Sequence, residues 1–285
     1  MEPGKLVTLS DAAERSLREG DPAAALARLQ DDVRARPADA KLRVFLFQLL
    51  CVLGQWERAL NQLKVASELD PLALPMAQMY GDAVRCEAVR DEVFEGRKSP
   101  MVLGQPDQWL ALLIESRLRA GLGEAAQSED LRQRAFEGAP ASAGEIDGQP
   151  FEWIADADSR LGPVLEAIIN GRYYWVPFDR LSKVSLEKPE DLRDLVWMPA
   201  QLQFQNGGEA LALIPSRYPG SESSGDGTLA LARKTAWEPF GDNAYRGLGQ
   251  RILATDAGET PFLEVRAMTI RQDESAPDPS AADHA

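Results

Sequence analysis

Few residues in the chain are suited to catalysis. The one histidine, His284, is the penultimate residue, and a Ser-His-Asp or Cys-His arrangement needs an imidazole held beside its nucleophile. Histidine-ligated zinc fails on the same count, and Cys51 and Cys86 are too few for a thiolate site of their own. Both cysteines sit in apolar, helix-like sequence and are expected as buried free thiols. Three stretches imitate ligand loops. Gly121-Leu122-Gly123-Glu124-Ala125-Ala126 has the letters of a dinucleotide turn, but it follows a helical pattern where that turn needs a strand, so it reads as a turn between helices. Asp156-Ala157-Asp158-Ser159-Arg160 begins like a calcium loop, lacks the glycine and distal glutamate, and reads as a solvated turn. SESSGDGT (221–228) lacks the Gly-Lys-Ser/Thr ending of a phosphate loop and reads as a mobile loop. Carboxylate chemistry remains, since Asp156, Asp158, Asp179, Glu187, Glu190 and Asp191 crowd one region. A catalytic pair needs a set separation in space, and in so acidic a chain a solvated face is the stronger expectation. No catalytic residue, cofactor or metal is assigned.

Composition narrows the partners. The chain has 285 residues, 44% hydrophobic and 27% charged, with 45 acidic against 31 basic residues and a net charge of -14. That sign opposes nucleic acid and anionic membrane surfaces, both of which are bound through clustered Lys and Arg. No run approaches the ~20 apolar residues of a membrane span, and the N-terminus carries acids where a signal peptide needs a basic start. The expected location is the cytoplasm.

The elements that must position any site begin with a repeat. GDPAAALARLQDDVRARP (20–37) aligns with GQWERALNQLKVASELDP (54–71). Gly20, Ala25, Leu26, Leu29 and Pro37 match Gly54, Ala59, Leu60, Leu63 and Pro71 at the tetratricopeptide period of about 34 residues. The glycines let the chain turn between helices, the small alanines let helices approach, and the prolines end them. Three further helices are predicted over 75–96, 107–121 and 123–138.

Texture changes at 139–150, a small, Pro/Gly-rich stretch expected as a linker. Beyond it come short alternating runs: FEWIADA, YYWVPF, AQLQFQ, EALALIP, LALARKTAW and PFLEVRAMTI. AQLQFQ-NGG-EALALIP predicts a hairpin, and PEDLRDLV (189–196) a short helix. The fold class is α+β: a tetratricopeptide-like helical domain (1–138), then a strand-rich domain (151–272), a small barrel or sandwich with minor helices. An acidic tail (273–285) has a disordered composition.

The run from Asn170 to Glu222 resembles the ImpE family, also called TagJ or SciE-type proteins, accessory to bacterial type VI secretion. The letters that carry this are GRYYWVPF (171–178), PEDLRD (189–194), WMPA (197–200) and LIPSRYP (213–219), with Asp70-Pro71 and WIAD (153–156) upstream. The resemblance implies a non-enzymatic cytoplasmic protein that binds the small sheath subunit, TssB, through its N-terminal helix. It also implies help in sheath assembly or in recycling by the ATPase ClpV.

A partner helix needs an apolar trough for residues spaced i, i+3, i+4, i+7, and repeat arrays present concave faces. One candidate surface is the inner face of the repeat, at Val44, Gln48, Cys51 and Val52. The other is the aromatic block Tyr173, Tyr174, Trp175, Phe178, Trp197 and Met198. Core packing competes with partner contact at both. Strand alternation turns Tyr174 and Trp175 to opposite faces, so one of them is expected to leave its own domain's core, most simply to pack against the helices. The alternatives from other classes are a carboxylate-based hydrolase, a carbohydrate-binding protein using the aromatics as platforms, and a repeat scaffold unrelated to secretion.

Overall fold

The computed structural model describes residues 11–272; the acidic tail and His284 lie outside them. Helices come first: α1 (Asp11–Arg18), α2 (Pro22–Ala35), α3 (Ala40–Val52), α4 (Trp56–Leu69), α5 (Leu74–Phe94), α6 (Gln108–Gly121) and α7 (Ala125–Gly138). The repeat letters shape how these helices end. Gly54 N–H bonds back to Cys51 and Gln55 N–H to Leu50, and 34 residues earlier Gly20 bonds to Leu17 and Asp21 to Ser16. This closure satisfies the last helical carbonyls and needs a left-handed residue, here with φ +81° at Gly20 and +65° at Gly54. Asp21 then caps α2 by accepting from the Ala24 N–H at 2.8 Å. Ala25, Leu29 and Val33 on α2, like Ala59, Leu63 and Ala66 on α4, form the buried faces.

Strands follow: β1 (Gly144–Ile146), β2 (Gln149–Phe151), β3 (Ile154–Asp156), β4 (Val164–Ile169), β5 (Arg172–Pro177), β6 (Leu181–Leu186), β7 (Trp197–Phe204) and β8 (Glu209–Pro215). After the short helix α8 (Gly227–Ala230) come β9 (Thr235–Gly241), β10 (Ala244–Gly249), β11 (Ile252–Thr255), β12 (Gly258–Pro261) and β13 (Ala267–Ile270). Eight strands make one antiparallel sheet in the order β2-β1-β13-β6-β7-β8-β4-β5. A three-stranded sheet, β12-β11-β3, and the β9–β10 hairpin complete the half. β7 and β8 form the hairpin that the sequence predicts at Asn206-Gly207-Gly208.

Alternation divides this sheet between two cores. Val176, Met198, Leu202 and Ile214 face inward and meet Ile154 and Leu253 of the smaller sheet. Ile168, Tyr173, Trp175, Trp197 and Leu213 face the other way and share one core with Phe47, Tyr80, Val84 and Phe94 of the helices. The layers are therefore helices, large sheet, small sheet, and the first two are bonded by a common apolar interior.

Several expectations need correction. The stretch expected as a linker, 139–150, contains β1 and most of β2, and β1 pairs with β13 near the end of the described chain. LALARKTAW is not a strand throughout, because Leu229 and Ala230 belong to α8 and pairing starts only at Thr235. The predicted helix at 189–196 is a single 3₁₀ turn, Leu192–Leu195, closed by a reciprocal capping box between Asp191 and Asp194. SESSGDGT is not a mobile loop. It holds a 3₁₀ turn and the start of α8, Ser221 is buried, and Gly227 lies tightly against the Gly20 backbone.

Candidate functional site

The junction between helices and large sheet is where charge concentrates. Arg90 on α5 donates to both oxygens of Glu166 on β4, at 2.6 and 3.0 Å, and to the Arg217 carbonyl at 2.8 Å. Arg251 also donates to Glu166 Oε2, which it shares with Arg90, and to Asp156. Tyr173 donates to Glu166 at 2.6 Å, and Trp175 donates to the Tyr173 hydroxyl at 2.8 Å. Trp197 reaches Glu87 on α5 at 2.6 Å. Arg217 donates to the Val52 carbonyl at 2.7 Å and the Cys51 carbonyl at 3.0 Å, at the C-terminal end of α3, where a cation suits the helix dipole. Every one of these side chains is buried.

Burial raises the Glu166 carboxyl, but Arg90 and Arg251 outweigh it and hold the group at about 2. Burial dominates at Asp156, which stands at about 7 against the pull of Arg251. Burial also raises Glu87. Such a cluster costs desolvation that its mutual pairing offsets, and removing one member leaves a buried charge exposed to the full penalty, about 3–5 kcal/mol. The carboxylates Glu87, Asp156 and Glu166 are each paired with a buried arginine. This suits an interdomain bolt.

These contacts change the place of the partner-site candidates. Cys51 and Val52 are fully buried beneath Arg217, and Gln48 is buried with its side-chain oxygen accepting from the Leu192 N–H at 3.1 Å. The inner face of the repeat is thus covered by the protein's own strand-rich half. Tyr173, Trp175, Phe178, Trp197 and Met198 are also buried. Tyr173, Trp175 and Trp197 fill the shared core, and Phe178 and Met198 fill the inner one. As surface contacts for a partner seven of these eight residues are corrected to core, Gln48 keeping a small exposed edge. Tyr174 is half-buried and packs against the inner core. Trp175, not Tyr174, is the aromatic that leaves its own half's core, with Phe94 at 6.2 Å. Of the ten, Val44 and the 6% exposed edge of Gln48 line an open surface.

That surface is a groove of about 570 Å³ between α1, α3 and the 3₁₀ turn at 192–195, with Leu17, Val44, Phe45 and Leu192 on its walls. Five acids and three bases ring it, Glu14, Asp39, Asp70, Glu190 and Asp191 with Arg18, Lys41 and Arg233. Asp39 caps α3, Asp70 accepts from the Leu72 N–H, Glu14 pairs with Arg18 and Asp191 with Arg193, so four of the five carboxylates are already engaged. A second groove, about 520 Å³, opens on the outer face of the large sheet beside α5. Its floor includes Pro199, Leu211 and Leu213, and Met79 and Asp82 form one wall.

A family model described as ImpE protein matches residues 148–269, and a tetratricopeptide repeat model matches residues 16–79. Over 258 residues the chain is 52% identical to the type VI secretion system accessory component TagJ of Pseudomonas aeruginosa PAO1, with 90% of each covered. The chain belongs to the ImpE/TagJ family. The crystal structure of protein VPA1032 from Vibrio parahaemolyticus has the same fold, with a TM-score of 0.83 and 25% identity over 92% of this chain and 98% of that one. Among the described residues no helix is long and apolar enough to cross a membrane.

The ImpE/TagJ letters can now be given physical duties. In WIAD, Asp156 holds Arg251 and accepts from the Tyr218 hydroxyl at 3.0 Å. In LIPSRYP, Ser216 donates to the Asp194 carbonyl at 2.7 Å and Arg217 reaches α3. DADSR is no solvated turn, because Asp158 is buried and paired with Arg160. Sequence reading missed Glu87, Arg90, Glu166 and Arg251. A lone charge inside an apolar strand such as VLEAII (164–169) was the available signal, since an unpaired charge there is untenable.

Proposed function

We propose that the chain is a non-enzymatic, cytoplasmic adaptor of a type VI secretion system. It captures the N-terminal helix of the small sheath subunit, TssB, and thereby assists sheath assembly or its recycling by ClpV. The observation that carries this reading is 52% identity, across nine-tenths of both chains, to a protein named a type VI secretion accessory component. Two further observations support it. Open apolar grooves of about 570 and 520 Å³ suit a helix laid along its apolar stripe, and the buried carboxylates are bound to arginines.

The test is a titration of the purified protein with a fluorescent peptide spanning the first helix of TssB from the same genome. Saturable binding, competed by unlabelled peptide, is expected in the micromolar range or tighter. A folded protein that shows no binding at several hundred micromolar peptide would remove the TssB assignment.

A further inference from the structure

The two grooves differ in chemistry, and we infer that the groove on the large sheet is the docking seat for an amphipathic helix whose apolar stripe is flanked by Lys or Arg. The inference rests on the adaptor reading above and adds the surface and the charge of the ligand.

The groove exists because α5 covers only part of the sheet's outer face. In register, Ile168, Leu213 and Pro199 form one cross-strand row, and Leu211 and Gln201 belong to the next. Ile168 and Leu213 are buried in the core shared with the helices, and the cover ends there. Leu211 is left 78% exposed, and Met79 on the flank of α5 is 47% exposed. The cross-strand partners of Leu211 and its neighbour Glu209 are the polar Gln201 and Gln203, as a solvated sheet face requires. Leu211 breaks that polar pattern. One end of the groove is closed by the Asn170-Gly171 turn, where both residues have positive φ and Gly171 sits so close to Asp82 that a Cβ would lie 2.9 Å from its carboxylate.

A helix beside α5 would extend a layer already built, since one helix is seated on the same face and Leu213 lies beneath both positions. A strand is a poorer match over β6 and β7, which are paired on both sides, although β8 pairs with β4 only at Leu213 and Ala212. Charge sets the flank. The charged residues on this groove are Asp82 and Glu187, with no Lys or Arg among its lining residues; Asp82 is shared with Arg85 at 2.5 Å, and no ion pair to Glu187 occurs among the described residues. The other groove mixes five acids with Arg18, Lys41 and Arg233, so a Lys- or Arg-flanked helix would meet like charge there as well as opposite charge.

The experiment uses the full chain, the TssB helix peptide and three single variants. Leu211→Asp and Glu187→Lys lie at this groove, and Val44→Asp lies at the other. All three sites are at least partly exposed, and circular dichroism and the thermal midpoint of each variant check folding. Leu211→Asp is expected to weaken binding at least about tenfold. Glu187→Lys should weaken it less and flatten the fall of affinity with salt, and Val44→Asp should leave it within about twofold. Binding that survives Leu211→Asp and is lost in Val44→Asp overturns the groove assignment and leaves the adaptor reading standing. A wild-type protein that does not bind the peptide overturns both.

Discussion

Asp156 and Glu166 sit within reach of the same arginine, yet burial and pairing settle differently at each. Asp156 titrates at about 7 in the folded protein, above its ordinary value near 4. Between those limits the folded state holds the extra proton, so stability falls as pH rises from about 4 to 7. Glu166, held at about 2, works in the opposite direction. Its contribution is present above its ordinary value near 4.5 and is lost as pH falls toward 2. At about 1.4 kcal/mol per pH unit, each group contributes on the order of 3–4 kcal/mol over its window. Asp156→Asn is therefore expected to lose most of the decline in unfolding free energy between pH 4 and 7 and to keep the loss below pH 4.5. Urea titrations across that range check it. A decline identical to wild type would mean that Asp156 is ionised throughout as the partner of Arg251. Asp91, at about 6 through burial and the neighbouring Glu87, leaves a smaller residual slope in either case.

The repeat turn is the element that ties the halves together. Gly54 carries a positive φ, and a Cβ there would strike the Glu222 side chain, whose carboxylate lies 3.8 Å from Arg217. Gly123 closes α6 by the same bonds, Gly123 to Ala120 and Glu124 to Arg119, with open space around its missing Cβ. Substituting either glycine by alanine costs the left-handed strain of about 1–2 kcal/mol, but only Gly54→Ala adds a collision. The difference between the two variants in chemical unfolding is expected to be at least about 1 kcal/mol. Equal losses would show that the 221–223 turn does not bear on α3 and α4. The same element scale explains the fate of Trp56. It occupies the large aromatic position of the repeat, and its ring lies 5.8 Å from Trp197 of the sheet. A residue type that serves helix–helix packing in a repeat array here serves helix–sheet packing.

For the whole molecule, the shared core predicts a single cooperative unit. Phe47, Tyr80 and Phe94 from the helices and Tyr173, Trp175 and Trp197 from the sheet belong to one cluster, with the arginine–carboxylate network threaded through it. Calorimetry should give one unfolding transition with equal calorimetric and van't Hoff enthalpies. Two resolved transitions would mean that the interface adds little to either half. Much of this architecture was legible beforehand. The 34-residue recurrence, the hairpin at Asn206-Gly207-Gly208 and the change from helical to alternating pattern are local signals, because periodicity and turn chemistry act between neighbours in the chain. The family letters were legible too, though not their duties. Which face a buried aromatic turns to, whether an Asp is solvated or bolted to an arginine 95 residues away, and that the inner face of the repeat is filled by the chain's own strands all depend on packing between distant segments. Val44 and Val52 are one residue type on one helix, yet only Val44 borders solvent-filled space, since Arg217 caps the end of α3 that Val52 occupies. Local pattern therefore determined the elements and their order. Tertiary structure alone decided which apolar surface was spent on the fold and which was left for a partner, because burial is a property of what lies across a contact and not of the residue itself.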